Sequence, residues 1–190
     1  MLSELVLKNR TYRRFHESEA VSEETLKELV DLARTVPSTA NSQALKFALI
    51  TEGEKRQKVY ESLGWAGALP DWDGPEEGER PAAYIIILCD QSIAKSKPID
   101  DGIVAQTMML GACEKGLGGC ILGNIRRTEL AQDLGLDTDR FSIDLVLAIG
   151  KPMEQVVITE VSEDGSTAYY RDGNQVHYVP KRKLEDLIVK

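Results

Sequence analysis

From Ser22 onward, apolar residues return at Leu26, Leu29, Val30 and Ala33, the i, i+3, i+4, i+7 spacing of a helix with one buried face. Ser22 is the expected N-cap, and Glu23 and Glu24 put negative charge in the first turn, where the helix dipole favours it. Pro37 closes this element, and a shorter helix is expected ahead of it over residues 2–9. Residues 46–51 read as a strand and 53–63 as a helix. The run AYIIILC at 83–89 is apolar without alternation, which predicts a fully buried strand. Over 100–117 the apolar positions, among them Ile103, Val104, Met108, Met109 and Ala112, run nearly all round a helix. Such a helix belongs inside the core. Thr128 is expected to cap a helix reaching Leu134, and 143–149 to form another buried strand ending at Gly150. Strand-like segments follow at 156–161 and 168–170. Asp172-Gly173 signals a turn with a return strand at 176–179, and 181–189 predicts a last helix. No repeat or linker divides the chain. The pattern predicts one α+β domain over residues 1–190, with a mixed sheet around a central helix.

Composition narrows the function classes. A net charge of −8 with 42% hydrophobic residues describes a soluble globular chain. An acidic surface repels phosphate backbones, so no nucleic-acid partner is expected. No segment is apolar for long enough to span a membrane, and Met1–Arg10 lacks a sustained apolar stretch of the signal-peptide kind. Cys89, Cys113 and Cys120 match no metal or redox spacing and read as reduced thiols, which points to the cytoplasm.

Against this acidic background, positive charge gathers in two places. One is Lys8, Arg10, Arg13 and Arg14 around Thr11; the other is Lys181, Arg182 and Lys183. Arginine forks beside a hydroxyl suit a phosphate monoester, although solvated charge at a helix end reads the same way. The polar segment from Pro37 to Gln43 offers Ser38, Thr39, Asn41 and Gln43 to a heterocycle edge or a polyol, or else is a simple turn after a helix. Gly116–Asn124 is glycine-rich. Ile121 breaks the dinucleotide pattern, and Asn124 and Ile125 break the P-loop pattern. What remains is backbone that a flat ring can approach closely. Residues 64–81 hold four glycines, three of the seven prolines and both tryptophans, and resemble a lid in which Trp65 or Trp72 covers a ligand or packs an interface. His16 and His177 are far apart, and no nucleophile elbow or metal motif is present. An enzyme of this composition needs a cofactor for its chemistry.

Taken in order, these segments resemble the nitroreductase family. Arg10-Thr11-Tyr12-Arg13-Arg14-Phe15 is similar to its basic box, Pro37–Gln43 to its Pro-Ser-x-x-Asn-x-Gln loop, and Gly116–Gly123 to its glycine-rich strand entry. Gly150-Lys151-Pro152 and the Lys181–Lys183 cluster complete the series. The resemblance implies a homodimer with non-covalent FMN, each site drawing on both chains. Arg10, Thr11 and Arg13 would hold the phosphate and the start of the ribityl chain, with Lys181 and Arg182 converging on the same phosphate. Pro37, Ser38, Thr39, Asn41 and Gln43 would meet the ribityl chain and ring. The backbone of Leu122, Gly123 and Asn124 would face the ring near N5, and Arg13 or Lys151 would place a cation near N1 and O2. It further implies ping-pong transfer of a hydride from NADH or NADPH to a nitroaromatic, quinone or activated alkene. Relatives that act on flavin itself or on halogenated aromatics, and a flavin carrier without turnover, are the alternatives. Thr11 stands where the family has serine, and Ala44 where it has the proline after glutamine.

Overall fold

The apolar run at 83–89 becomes β2 (Ala83–Asp90), and all eight of its residues are buried. The structure is a computed structural model that describes residues 1–94 and 98–189. In it, β2 is an inner strand of a four-stranded sheet ordered β1-β2-β4-β3, with β1 Leu45–Ile50, β3 Gly118–Leu122 and β4 Phe141–Gly150. Helices cover both faces, so neither face of β2 meets water and polar alternation has no place there. On one face α2 (Glu23–Ala33) and the central α4 (Pro98–Glu114) pack Leu26, Leu29, Ala105 and Met108 against Ile85, Ile87, Leu147 and Ile149. On the other, α3 (Gly53–Glu61) and α5 (Arg127–Leu134) pack Val59 and Leu130 against Tyr84, Ile86, Val146 and Ala148.

Ser22 caps α2 as expected, its hydroxyl accepting from the Thr25 N–H at 3.1 Å. Gly116 ends α4 at φ 73°, the left-handed value that glycine adopts without strain. The α+β class also stands as expected, but all three pairings within the four-stranded sheet are antiparallel. The parallel component lies outside it. One part is the bridge between Thr11 and Gly119, just past α1 (Leu2–Lys8). The other is a separate three-stranded sheet, where β5 (Val156–Glu160) runs parallel to β7 (His177–Lys181) and β6 (Tyr170–Arg171) pairs antiparallel with β7.

Two expected elements are corrected. Helix α5 begins at Arg127, not at a Thr128 cap. The Arg127 guanidinium binds the carbonyls of Gly123, Ile143 and Asp144, which fixes the start of the helix without a capping side chain. The last helix, expected over 181–189, is absent. Lys181 is taken into β7 by pairing with Glu160, and beyond it only Leu184–Asp186 forms a 3-10 turn. Leu184, Leu187 and Ile188 are exposed, and an amphipathic pattern with no surface to pack against does not hold a helix.

The register of β2 with β4 slips between Ile87 and Leu88, leaving Asp144 as the extra residue of a β-bulge. Asp101, 5% exposed in the first turn of α4, interacts with Asp144. Burial, together with the charges of Asp144 and Asp100, pushes the Asp101 carboxyl up to about 6. A carboxyl raised in the folded state gives its full stability at pH below its unfolded value and loses it as pH rises through the folded value. Asp101→Asn is therefore expected to stabilise the protein at pH 8 by about 1–2 kcal/mol, a figure discounted for solvent screening. The gain should shrink as pH falls below about 6 and vanish only below about pH 4, where the carboxyl is protonated in both states. Thermal melts of both proteins at the two ends of this range check this, and a gain of equal size at both would count against the assignment.

Candidate cofactor site

The basic box follows directly from α1. Arg10 reaches back to the Val6 carbonyl through Nη2 at 2.6 Å, while its Nε is buried without a partner. Thr11 bridges to Gly119, and the Tyr12 N–H donates to the Gly119 carbonyl at 2.9 Å. The box thus lies along the free edge of β3. The Arg13 guanidinium sits over the Tyr169 ring, 4.7 Å from its centre, and Tyr169 in turn packs on His177 at 5.2 Å. Burial and the neighbouring Arg13 charge lower the pKa of His177 below its ordinary value, so this imidazole is neutral at pH 7. Beneath the box, Glu154 accepts from the backbone N–H groups of both Arg13 and Arg14 and pairs with Arg171 at 2.9 Å. Arg14 is ion-paired to Glu79 and so is committed to the fold.

The polar loop lies between α2 and β1. Thr39 donates through both its N–H (2.9 Å) and its hydroxyl (2.7 Å) to the buried Asp100 at the start of α4. Ala40, Asn41 and Gln43 all have φ near +50°, a region that non-glycine residues rarely adopt and that clusters at ligand sites. The Ser38 hydroxyl accepts from the Gln43 N–H at 3.4 Å, and the Gln43 amide donates to the Asn41 side chain at 3.2 Å. Ser42 Oγ is buried without a partner. Under the loop is a cavity of about 220 Å³, lined by Pro37, Ser38, Gln43, Phe47, Asp100 and Val104 among others.

At the end of β3, the Leu122 side chain points into the core, whereas Gly123 and Asn124 are exposed. Lys181, the last residue of β7, and Arg182 just past it are exposed. No hydrogen bond, ion pair or ring contact joins them to Arg10 or Arg13 among the described residues. The loop and the box are apart as well. The loop precedes Leu45, which pairs with Cys89 and through it with Ser142; the box pairs with Gly119, opposite Ile149. Four strand spacings, from β1 through β2, β4 and β3 to the box, and seven residues of β4 separate them, about 19 Å across the sheet and roughly 20 Å along it.

The 64–81 loop is fastened. Trp65 packs in the core beside Tyr60, and Trp72 lies under the Arg171 guanidinium at 4.4 Å. The Tyr60 hydroxyl holds the Pro75 carbonyl at 2.8 Å, and Glu17 accepts from the Gly78 N–H at 2.7 Å. Glu154 is not among the residues that the sequence singles out. Glu154 lies two residues past Pro152 of a recognised motif, but its partners lie about 140 positions away and leave no local signal.

A sheet enclosed by helices on both faces, with a basic box along one edge and a polar loop at the opposite corner, places the chain among the α+β proteins. A sequence model of the nitroreductase family matches residues 6–151, and the chain belongs to that family. YdgI of Bacillus subtilis (strain 168), provisionally named an NAD(P)H nitroreductase, is 22% identical over an alignment covering 80% of this chain and 88% of that protein. A Desulfovibrio desulfuricans protein crystallised in complex with FMN superposes with a TM-score of 0.73 at 21% identity, covering 100% of this chain and 95% of that one. An FMN-dependent nitroreductase from Clostridium difficile R20291 gives 0.66 at 20% identity, over 82% of this chain and 89% of that one. At these identities the structural likeness establishes a common fold.

Proposed function

We propose that the protein is an FMN-dependent oxidoreductase, one flavin-binding unit spanning residues 1–190, that passes a hydride from NADH or NADPH to a small electrophilic acceptor such as a nitroaromatic or quinone. The observation that supports this best is the pairing of two incomplete half-sites. The box presents Arg10 and Arg13 with no carboxylate paired to either among the described residues, and the loop presents Ser38 and Thr39 beside Asn41 and Gln43, the latter two at positive φ. The buried, unpartnered Arg10 Nε and Ser42 Oγ fit a ligand that supplies acceptors at one end and polar ring or polyol atoms at the other.

Because the halves lie at opposite corners of one sheet, a complete site requires the box of one copy and the loop of another, which makes the active form a homodimer. Lys181 and Arg182 approach the phosphate by the same route, from the second copy. The exposed Leu2, Val6 and Leu7 of α1 and Leu184, Leu187 and Ile188 of the C-terminal arm supply apolar surface for such an interface.

Bound FMN supplies the hydride chemistry. The chain's own residues do the rest. Arg10, Thr11 and Arg13 bind a dianion through forked donors and a hydroxyl. Thr39, held by Asp100, fixes the loop so that Ser38, Asn41 and Gln43 orient the polar edge of the ring. The backbone at Leu122, Gly123 and Asn124, lacking bulk at Gly123, admits the ring near N5. Arg13 or Lys151 stabilises negative charge at N1 and O2. Cysteines outside any disulfide among the described residues suit a reducing compartment such as the cytoplasm, and no helix among those residues is long and apolar enough to cross a membrane.

Purified protein is expected to be yellow or to take up added FMN, to bleach anaerobically with NADH or NADPH, and to regain colour with a nitroarene or quinone. Protein that takes up no FMN would overturn the reading. Yellow protein that neither donor bleaches would make it a flavin carrier.

A further inference from the structure

We propose that Glu154 is a positioning residue for the box, holding residues 10–14 in the shape that recognises a phosphate monoester. The inference rests on the flavin reading above and goes beyond it by assigning phosphate selectivity to a residue that faces away from the ligand. The Glu154 side chain is 1% exposed. Its Oε1 accepts from two successive peptide N–H groups, those of Arg13 and Arg14, and its Oε2 accepts from Arg171 Nη2 at 2.9 Å. Two neighbouring amides turned inward on one oxygen fix the backbone at the point where the Arg13 side chain leaves it. That side chain then lies over Tyr169 rather than folding back onto a carboxylate.

The charge arithmetic points the same way. A buried carboxylate directly under an anion-binding box would repel the anion if its charge were unopposed. Arg171 and the two amides neutralise it. Arg171 is fixed in turn by stacking on Trp72 of the 64–81 loop, and Arg14 is tied to Glu79 of the same loop. Glu154 and Glu79 therefore occupy the cations that serve the fold, and Arg10 and Arg13 have no carboxylate partner among the described residues and are left for the ligand. A role in folding alone predicts that both FMN and riboflavin suffer when Glu154 is changed. A role in shaping the box predicts that only the phosphate-bearing ligand does.

The test measures dissociation constants for FMN and for riboflavin by quenching of flavin fluorescence, with the full-length wild type, Glu154→Gln and Arg171→Gln. The phosphorus NMR shift of bound FMN is recorded alongside. Glu154→Gln is expected to weaken FMN roughly tenfold while leaving riboflavin within about twofold, and to move the phosphorus resonance. Arg171→Gln should give a smaller change in the same direction, and it supplies the measurement if the Glu154 variant does not fold by circular dichroism. Equal weakening of both ligands, or unchanged FMN binding, overturns the role of Glu154. A wild type that binds FMN no more tightly than riboflavin overturns the placement of the phosphate at the box itself.

Discussion

Gly119→Ala is expected to leave little folded protein. A Cβ at this position would stand 2.3 Å from the Ala148 carbonyl oxygen and 2.9 Å from Met109 Sδ. The methionine has room to turn, but the carbonyl belongs to β4 in the middle of the sheet and cannot swing aside. The β3–β4 pairing has to open, at a cost above about 3 kcal/mol out of a total stability of roughly 5–15 kcal/mol. The damage also reaches the box, because the Gly119 carbonyl accepts from Tyr12 and its backbone bridges to Thr11. Gly123→Ala is the control: its added carbon meets only Leu145 Cδ2 at 3.7 Å, ordinary contact, and its melting temperature should stay near wild type. A Gly119→Ala protein melting within about 3 °C of wild type would show that β3 and β4 are not packed as described.

The second large effect concerns how the site is assembled. Arg10→Ala with Arg13→Ala removes the box, and Ser38→Ala with Gln43→Ala removes the loop's side chains. Each double variant alone should purify without flavin. If a site draws its box from one chain and its loop from the other, a heterodimer of the two variants contains one site with both halves intact and one with both halves lost. Co-expression with different affinity tags, followed by two-step purification, should then yield about one flavin for every two chains, against about two for wild type. Heterodimers as empty as their parents would mean that the box and the loop serve the same site within one chain, or different ligands altogether.

Much of the candidate site is legible in the sequence because its parts are local. The arginines of the box and the hydroxyls and amides of the loop are recognisable by type and spacing, and the structure places nearly all of them at the surface, exposed or half-buried. What spacing cannot convey is partnership. Arg14 looks like a ligand-binding residue beside Arg13, yet it is consumed by Glu79. Asp100 puts a carboxylate in the first turn of α4, where it holds Thr39, 61 residues away. Trp72, in a loop shaped like a lid, is pinned by Arg171. Each of these pairs spans scores of residues, and no periodicity in the chain encodes it.

The amino-acid order alone determined the elements whose burial is set by neighbours in sequence: the capped face of α2, the unbroken apolar β2, the all-round apolar α4 and the turn at Asp172. It misjudged 181–189, because an apolar stripe becomes a helix only where something covers it, and in this chain nothing does. The tertiary structure decided the rest. It made the four-stranded sheet antiparallel, introduced the bulge that aims Asp144 at Asp101, set Glu154 beneath the box, and put box and loop at opposite corners. The physical reason is that hydrophobic periodicity reports which face of a segment avoids water. Only the closing of long loops determines which other segment provides the shelter, and which charges are used up in doing so.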